Sequence, residues 1–356
     1  MNKCYMKIIL IIALLFVTTN VYAVSDTAKS TVVIDNESKR ILYEKNKDEQ
    51  RLIASITKIM TAVIAIENKN LDDIVTIGEE VIPMYGSNIY IEVGEKMTLR
   101  NLLYGLILRS GNDAAVAIAT YVGKTEENFV KMMNEKAKKI GMNNTIFHNS
   151  HGLDDTDEKN YSTAYDMALL SSYANTLLEF CEISNTKKWT VSNGEKTYIW
   201  NNRNELLTSY KYATGGKTGY TPKAGRTLVT TANKNNLNLT IVTLNDNNMY
   251  ETHKSLYENI YNKYERTLLL DKNNFKIENN NAYIKNSFYY PLTQNEQSKI
   301  KKVVNIYNQK DRNIIGEITI YLENEEIYND YIYIKKNKEV KKGIIEKIIE
   351  FIKKLF

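Results

Sequence analysis

Apolar positions along this chain recur with two different periods, and the switches between them mark its organisation. Thr31 to Asp35 and Arg40 to Tyr43 are short β-type runs flanking Asn36-Glu37-Ser38-Lys39, which predicts a hairpin. From about Ser55 to Asn68 the apolar residues Ile59, Met60, Val63, Ile64 and Ile66 fall at helical spacing. The same spacing predicts helices over Leu99 to about Val122, Glu127 to Ile140 and Thr163 to Leu178. From Lys188 onward β-type runs return at Trp189 to Val191, Thr197 to Trp200, Arg226 to Thr231 and Leu237 to Leu244, before a helical stretch over Tyr250 to Tyr264. Strands, then helices, then strands suit one mixed sheet covered by helices, with an α-rich insert. Past Arg266 the texture changes: alternation in Ile314 to Leu322 and Tyr328 to Ile334 predicts a small all-β domain over residues 266–335. That segment holds no histidine, cysteine or carboxylate constellation, so a spacer or docking role is its default.

The two ends carry different signals. Lys3 and Lys7 precede an apolar run from Ile8 to Val17, and Val21-Tyr22-Ala23 offers small residues at a cleavage site, so residues 1–23 read as a secretory signal peptide. Ten apolar residues fall well short of the ~20 that a spanning helix needs. No cysteine follows the run to make a lipoprotein. Cys4 would leave with the signal and Cys181 alone would remain, so no disulfide is expected and Cys181 reads as a buried small apolar residue. At the other end, Ile344, Ile345, Ile348, Ile349, Ile352, Leu355 and Phe356 fall on one helical face and Glu346, Lys347, Glu350, Lys353 and Lys354 on the other. Residues 335–356 carry a net charge of +5, whereas the chain freed of Lys3 and Lys7 carries +3, which leaves the body at −2. An amphipathic basic helix over residues 336–356 fits an anchor on an anionic membrane surface, too short and too charged to span it. Its docking on its own domain is the alternative. Nucleic acid is a poorer partner, because no aromatic platform is interleaved with the basic residues.

Three short motifs carry the chemistry: Ser55-Ile56-Thr57-Lys58, Ser110-Gly111-Asn112 and Lys217-Thr218-Gly219. Ser-x-x-Lys occurs three times, also at Ser184/Lys187 and Ser298/Lys301, but only Ser55 opens a long apolar-periodic segment that puts both side chains on one helical turn. A serine hydroxyl is a weak nucleophile and needs a base within hydrogen-bond reach. Lys58 can fold back toward Ser55, yet lysine acts as a base only if burial or a neighbouring cation lowers its ordinary pKa of ~10.4. Lys217 can be that cation. Ser110 offers a hydroxyl to relay a proton to a departing nitrogen, and Asn112 offers an amide to hold substrate backbone. Lys217 and Thr218 can bind a terminal carboxylate, and Gly219 lets substrate lie close to a strand.

In this order and with domain-scale gaps, the triple is a signature of penicillin-recognising acyl-transfer enzymes. From Val32 to about Lys263 the chain resembles the serine-type D-alanyl-D-alanine carboxypeptidases, the low-molecular-mass penicillin-binding proteins. Ser110-Gly111-Asn112-Asp113-Ala114-Ala115, Asn149-Ser150-His151-Gly152-Leu153, Ser162-Thr163-Ala164-Tyr165-Asp166-Met167-Ala168 and Lys217-Thr218-Gly219-Tyr220-Thr221 all look like that family's running sequence. The resemblance implies a mixed α/β fold: a β-lactamase/transpeptidase-like domain over residues 24–265, with an antiparallel sheet, covering helices and an α-rich subdomain. The small all-β domain and the C-terminal amphipathic helix complete the family's usual layout. It further implies Ser55 as acyl-enzyme nucleophile, Lys58 as its base, Ser110 in the proton relay and Lys217 on the substrate carboxylate, with the backbone amides of Ser55 and Tyr220 as oxyanion hole. The implied substrate is the peptidoglycan stem peptide, which loses its terminal D-Ala; β-lactams would acylate Ser55, at the outer face of the cytoplasmic membrane. No cofactor is implied.

Rival readings share parts of this pattern. A class A β-lactamase uses a glutamate acting through water, but no Glu-x-x-Leu-Asn segment lies between the second and third motifs, and Gly111 stands where that family has Asp. A transpeptidase or endopeptidase shares the acyl-enzyme and differs in its acceptor or bond. A non-catalytic wall-binding relative would be expected to have lost one of Ser55, Lys58, Ser110, Asn112, Lys217 or Thr218. Gly216-Lys217-Thr218 is no phosphate loop, since Lys211 occupies the first glycine position. His148, His151 and His253 lack a zinc spacing, so no metal is expected; His151 beside Gly152 reads as structural. The 26 tyrosines read as surface and β-packing residues.

Overall fold

A computed structural model of the protein describes residues 25–334, apart from 155, 156, 158, 193, 195, 278–281 and 308–312. The expected signal peptide and the expected C-terminal helix therefore lie outside the described residues. The chain divides into two compact units, one ending at Asn262 and one beginning at Lys263.

The first unit is built on five strands: β1 (Ser30–Asp35), β2 (Ile41–Lys45), β3 (Ala213–Thr221), β4 (Gly225–Lys234) and β5 (Leu237–Leu244), in the order β2-β1-β5-β4-β3. Every pairing is antiparallel, so the sheet is not mixed as the element order had suggested. The cause is local: β3, β4 and β5 are joined by tight turns rather than crossover helices. Asn235 and Asn236, both left-handed at φ 54° and 64°, make the β4–β5 turn of the type that matches strand twist. All six residues of β1 are buried, as a central strand covered on both faces requires. The Lys188–Ser192 and Thr197–Asn201 runs form a separate two-stranded ribbon outside this sheet, with Trp189 stacked on Tyr104 at 3.7 Å.

The helices longer than a single turn are α1 (Lys58–Asn68), α2 (Leu99–Tyr104), α3 (Asn112–Gly123), α4 (Glu126–Lys139), α5 (Ala164–Ala174), α6 (Leu178–Asn185) and α7 (Met249–Lys263). Thr98, Thr125 and Thr163 cap α2, α4 and α5 by accepting a backbone N–H with their side chains. Helix α1 is a core element, buried continuously from Lys58 to Ala65 and packed against α3, α4, α5 and α6. The single helix expected over Leu99 to Val122 is in fact broken. After α2 the chain widens into a π-type turn at Gly105–Arg109, and Ser110 turns left-handed at φ 65° before α3 begins. The helix expected from Thr163 to Leu178 likewise ends at Ala174, and α6 restarts at Leu178. Cys181 is half-buried rather than buried, its thiol donating to the Asn175 carbonyl at 3.3 Å.

The second unit consists of strands β6 (Glu265–Leu270), β7 (Ala282–Tyr283), β8 (Phe288–Leu292), β9 (Ile300–Ile306), β10 (Ile314–Leu322) and β11 (Glu325–Ile334), with one helical turn at Gln294–Gln297. β6 pairs with β8, and the others form a sheet in the order β7-β11-β10-β9. Leu269, Ile284, Leu292, Ile318, Ile320 and Ile332 make its core.

Candidate active site

Ser55 stands in a 3-10 turn, Ala54–Thr57, that leads directly into α1. Such a turn needs support from below, and the Asn149–Leu153 loop supplies it. Gly152 adopts φ 91°, and a Cβ there would lie 2.1 Å from the Ala54 carbonyl oxygen, so only glycine lets the loop back onto the turn. Asn160 clips the loop to the helix start: its Nδ2 donates to Thr57 Oγ1 and to the Asn149 carbonyl, each at 3.0 Å, and its Oδ1 accepts from the His148 amide at 2.7 Å. Thr61 donates to the Ser150 carbonyl at 2.6 Å, which aims the next carbonyl, that of His151, at Lys58.

Lys58 is wholly buried, and its Nζ donates to Ser55 Oγ (3.1 Å), Asn112 Oδ1 (2.7 Å) and the His151 carbonyl (2.5 Å). Burial, and then the cation of Lys217, hold its pKa well below the ordinary lysine value; Arg203 adds to the fall and Asp113 opposes it. Its position on the first residue of α1, at the positive end of the helix dipole, disfavours the charged form further. Lys217 comes from the middle of β3, is 1% exposed, and donates to Ser110 Oγ (3.0 Å) and the Thr218 carbonyl (2.6 Å). Burial and the Arg203 guanidinium lower its pKa to about 7. Ser110 and Asn112 are delivered by the break between α2 and α3, because the left-handed turn at Ser110 lets both side chains face α1 and β3. Gly219 is where β3 passes the nucleophile: a Cβ there would stand 2.4 Å from Thr227 Oγ1 and 3.0 Å from the Ser55 amide nitrogen.

The structure thus brings these residues together in two hydrogen-bonded sets, Ser55–Lys58–Asn112 and Ser110–Lys217, with Ser55 and Ser110 lining one cleft. Thr218 and Tyr220 follow Lys217 along β3, and both line a cleft of about 460 Å³ beside Ser55. Tyr220 is 61% exposed, and the Arg226 guanidinium sits 5.7 Å from its ring centre. A second groove of about 480 Å³ flanks Ser55 on the Asn112 side, walled by Tyr85, Leu153, Asp154 and Pro222. The other two Ser-x-x-Lys serines are engaged elsewhere, Ser184 on the Cys181 carbonyl at 3.4 Å and Ser298 on the Asn295 carbonyl at 3.2 Å.

Sequence reasoning missed Arg203 and Arg226, the two arginines that line the first cleft. Arg203 donates to Ser87 Oγ at 2.7 Å, which turns its fork into the cleft. Only eight of the 47 basic residues are arginine, so finding two in one cleft is a composition signal pointing to bidentate anion recognition. Among the described residues no group of three or more His, Cys, Asp or Glu side chains could hold a metal ion. His151 accepts the Leu153 amide on Nδ1 at 3.1 Å, and burial with Lys58 nearby lowers its pKa to about 3. His253 is buried on α7 against Thr230 and Thr243.

A family model described as D-alanyl-D-alanine carboxypeptidase, peptidase family S11, matches residues 17–248. The D-alanyl-D-alanine carboxypeptidase DacF of Bacillus subtilis is 40% identical over 219 residues, covering 59% of this chain and 55% of that protein. The chain thus spans little more than half the length of the curated relatives it matches. Among solved structures, the D-alanyl-D-alanine carboxypeptidase DacD from Francisella tularensis is 28% identical with a TM-score of 0.70, covering 88% of this chain and 94% of that one. Penicillin binding protein 5 from Haemophilus influenzae is 26% identical with a TM-score of 0.73, covering 87% of this chain and 97% of that one. With the family model matching well over half of its 356 residues, the chain belongs to the D-alanyl-D-alanine carboxypeptidases of peptidase family S11.

Proposed function

We propose that this protein removes the terminal D-Ala from peptidoglycan stem peptides through an acyl-enzyme on Ser55, and that β-lactams trap the same serine. The observation that carries the reading is the Lys58 amine, buried, depressed in pKa and 3.1 Å from Ser55 Oγ. In the neutral form Lys58 takes the Ser55 proton as Oγ attacks the carbonyl of the penultimate D-Ala. The resulting oxyanion is held by the backbone amides of Ser55 and Tyr220, where Gly219 leaves the Ser55 amide uncovered. As the C–N bond breaks, Ser110, its hydroxyl polarised by Lys217 at 3.0 Å, relays to the departing amine the proton that Lys58 took, so that Lys58 is neutral and Ser110 a hydroxyl again before water enters. Water then attacks the ester and returns Ser55, so one water is consumed and one D-Ala released.

The terminal carboxylate rests on the Thr218 hydroxyl and the Arg203 fork, with Lys217 contributing its field from behind. Asn112 holds substrate backbone while its Oδ1 steadies Lys58. Residues 1–23 direct export, residues 24–265 form the catalytic domain, residues 266–335 act as a spacer or docking module, and residues 336–356 lie on the outer face of the cytoplasmic membrane as an amphipathic helix. No described helix is long and apolar enough to cross a membrane.

Intact mass after exposure to penicillin tests the acyl-enzyme. One adduct on the protein but none on Ser55→Ala is expected. Drug left untouched with no adduct would sink the reading, and drug destroyed with no adduct would make the protein a β-lactamase. Incubation with a pentapeptide should release D-Ala and leave a tetrapeptide; a cross-linked product instead would move the reading to transpeptidation.

A further inference from the structure

We propose that Asp113, a buried carboxylate that touches none of the reacting atoms, is a positioning residue of this site: it fixes the loop from which Asn112 is hung, and through Asn112 the base Lys58. Asp113 is 2% exposed on the first turn of α3. Its carboxylate accepts the amide hydrogens of Ile89 (3.0 Å to each oxygen), Tyr90 (2.7 Å), Ile91 (3.3 Å) and Ala114 (2.8 Å). Three successive amides pointing inward at one anion form an anion nest, here filled by a side chain of the protein itself. The nest is held open against local preference, since Tyr90 is left-handed at φ 64°, costly for a bulky side chain that is itself 75% exposed. Gly111 serves the same arrangement: a Cβ there would lie 2.9 Å from Asp113 Oδ1.

The pinned loop is also the wall of the site. Ser87 lines both grooves beside Ser55, and Tyr85 and Gly86 line the second. Asn112 donates its backbone N–H to the Ser87 carbonyl (2.7 Å) and its side-chain Nδ2 to the Tyr85 carbonyl (2.6 Å), which leaves Oδ1 turned to Lys58 at 2.7 Å. A carboxylate that fixes the loop therefore fixes which way the Asn112 amide faces. Asp113 also acts through charge. The groups facing Lys58 are the cations Lys217 and Arg203 and the anion Asp113, with His151 neutral beside it. The anion opposes the two cations and keeps the Lys58 pKa from falling further.

This inference rests on the reading of Ser55 as nucleophile and Lys58 as base, and the test separates the two. The rate of acylation by a penicillin is measured against pH for the full chain and for Asp113→Asn, which keeps the shape and removes the charge. The variant should acylate about 10- to 100-fold more slowly at its plateau, the cost of a slightly misplaced constellation. Its acid limb should move to lower pH, because without the anion Lys58 loses its proton more readily. A role in stability alone would lower the melting temperature and leave that limb in place, which would overturn the proposal. If Asp113→Asn does not fold, Tyr90→Pro replaces it, since proline cannot adopt φ 64° and has no N–H to give Asp113. Acylation at least about tenfold slower is then expected, and an unchanged rate overturns the proposal. Wild type that is never acylated sinks the serine reading; wild type acylated with Asp113→Asn matching it in rate and pH dependence sinks this inference alone.

Discussion

Replacing Lys217 with methionine tests how far burial has stripped that side chain of its charge. Lys217 is 1% exposed, and its pKa is lowered from 10.5 to about 7 by burial and then by Arg203. Between those two values the folded chain holds Lys217 neutral while the unfolded chain holds it charged. The unfolded state therefore binds more protons, and the stability of the wild type rises with pH across the window. The slope reaches ~1.4 kcal/mol per pH unit, and the total over the window is about 5 kcal/mol. Lys217→Met lacks this component altogether. The stability difference, wild type minus variant, should thus climb steadily from about pH 7 to about pH 9.5, whatever its value at neutral pH. Urea unfolding at a series of pH values measures it, followed by the fluorescence of Trp189 and Trp200, which both lie in the first unit. A difference that stays constant over that range would mean Lys217 is fully charged in the folded protein, and the account of the paired lysines would fall.

Other substitutions probe separate parts of the site. Ser55→Ala should abolish penicillin labelling and D-Ala release while moving the melting temperature by no more than about 3 °C, since Ser55 is only half-buried; labelling that survives would place the nucleophile elsewhere. Gly219→Ala puts a Cβ 3.0 Å from the Ser55 amide and 2.4 Å from Thr227 Oγ1, so acylation should drop about 100-fold by loss of the oxyanion site. Wild-type penicillin acylation in that variant would take the Ser55 amide out of the mechanism. Arg203→Ala should lower kcat/KM about 100-fold on a peptide ending in a free carboxylate and spare an ester that lacks one. Equal losses on both substrates would make Arg203 a structural group rather than a carboxylate ligand.

What could be read from the sequence and what could not divide along a physical line. The residues that bond directly at the site, Ser55, Lys58, Ser110, Asn112 and Lys217, are local motifs, and each sits where a turn meets a helix or in the middle of a strand. The hairpin at Asn36 to Lys39 was legible because turn residues separate two alternating runs. The break before Ser110 was not, because Leu102, Leu103, Leu106, Ile107 and Leu108 keep helical spacing straight through the π-type turn, and nothing in apolar period distinguishes one extra residue per turn. Arg203 and Asp113 were missed for another reason: their partners, Ser87 on one hand and the Ile89–Ile91 amides on the other, lie far off in sequence and are main chain or hydroxyl. The all-antiparallel sheet was hidden in the raw element order, since the insert between β2 and β3 imitates a crossover.

The same geometry explains why this site must be assembled from so many distant pieces. Two lysine side chains buried side by side oppose folding, because each loses its hydration and each repels the other. Lys58 is retained only by surrounding it with three oxygen acceptors from three separate segments: the turn before α1, the start of α3 and the Asn149–Leu153 loop. Lys217 is retained in the same way by Ser110 and its own strand. Each acceptor must itself be fixed, which is why Asn160, Thr61 and Asp113 carry hydrogen bonds that never reach the substrate. In the charged form Lys58 donates to all three acceptors; in the neutral form its two N–H groups serve Asn112 Oδ1 and the His151 carbonyl while its lone pair accepts the Ser55 hydroxyl, so the change of protonation state reverses one bond and empties none. A base that must cycle between two protonation states inside a dry core needs that double provision. The large buried body of α1, which continues unbroken for two turns beyond Lys58, supplies the compensating apolar burial that lets the fold carry it.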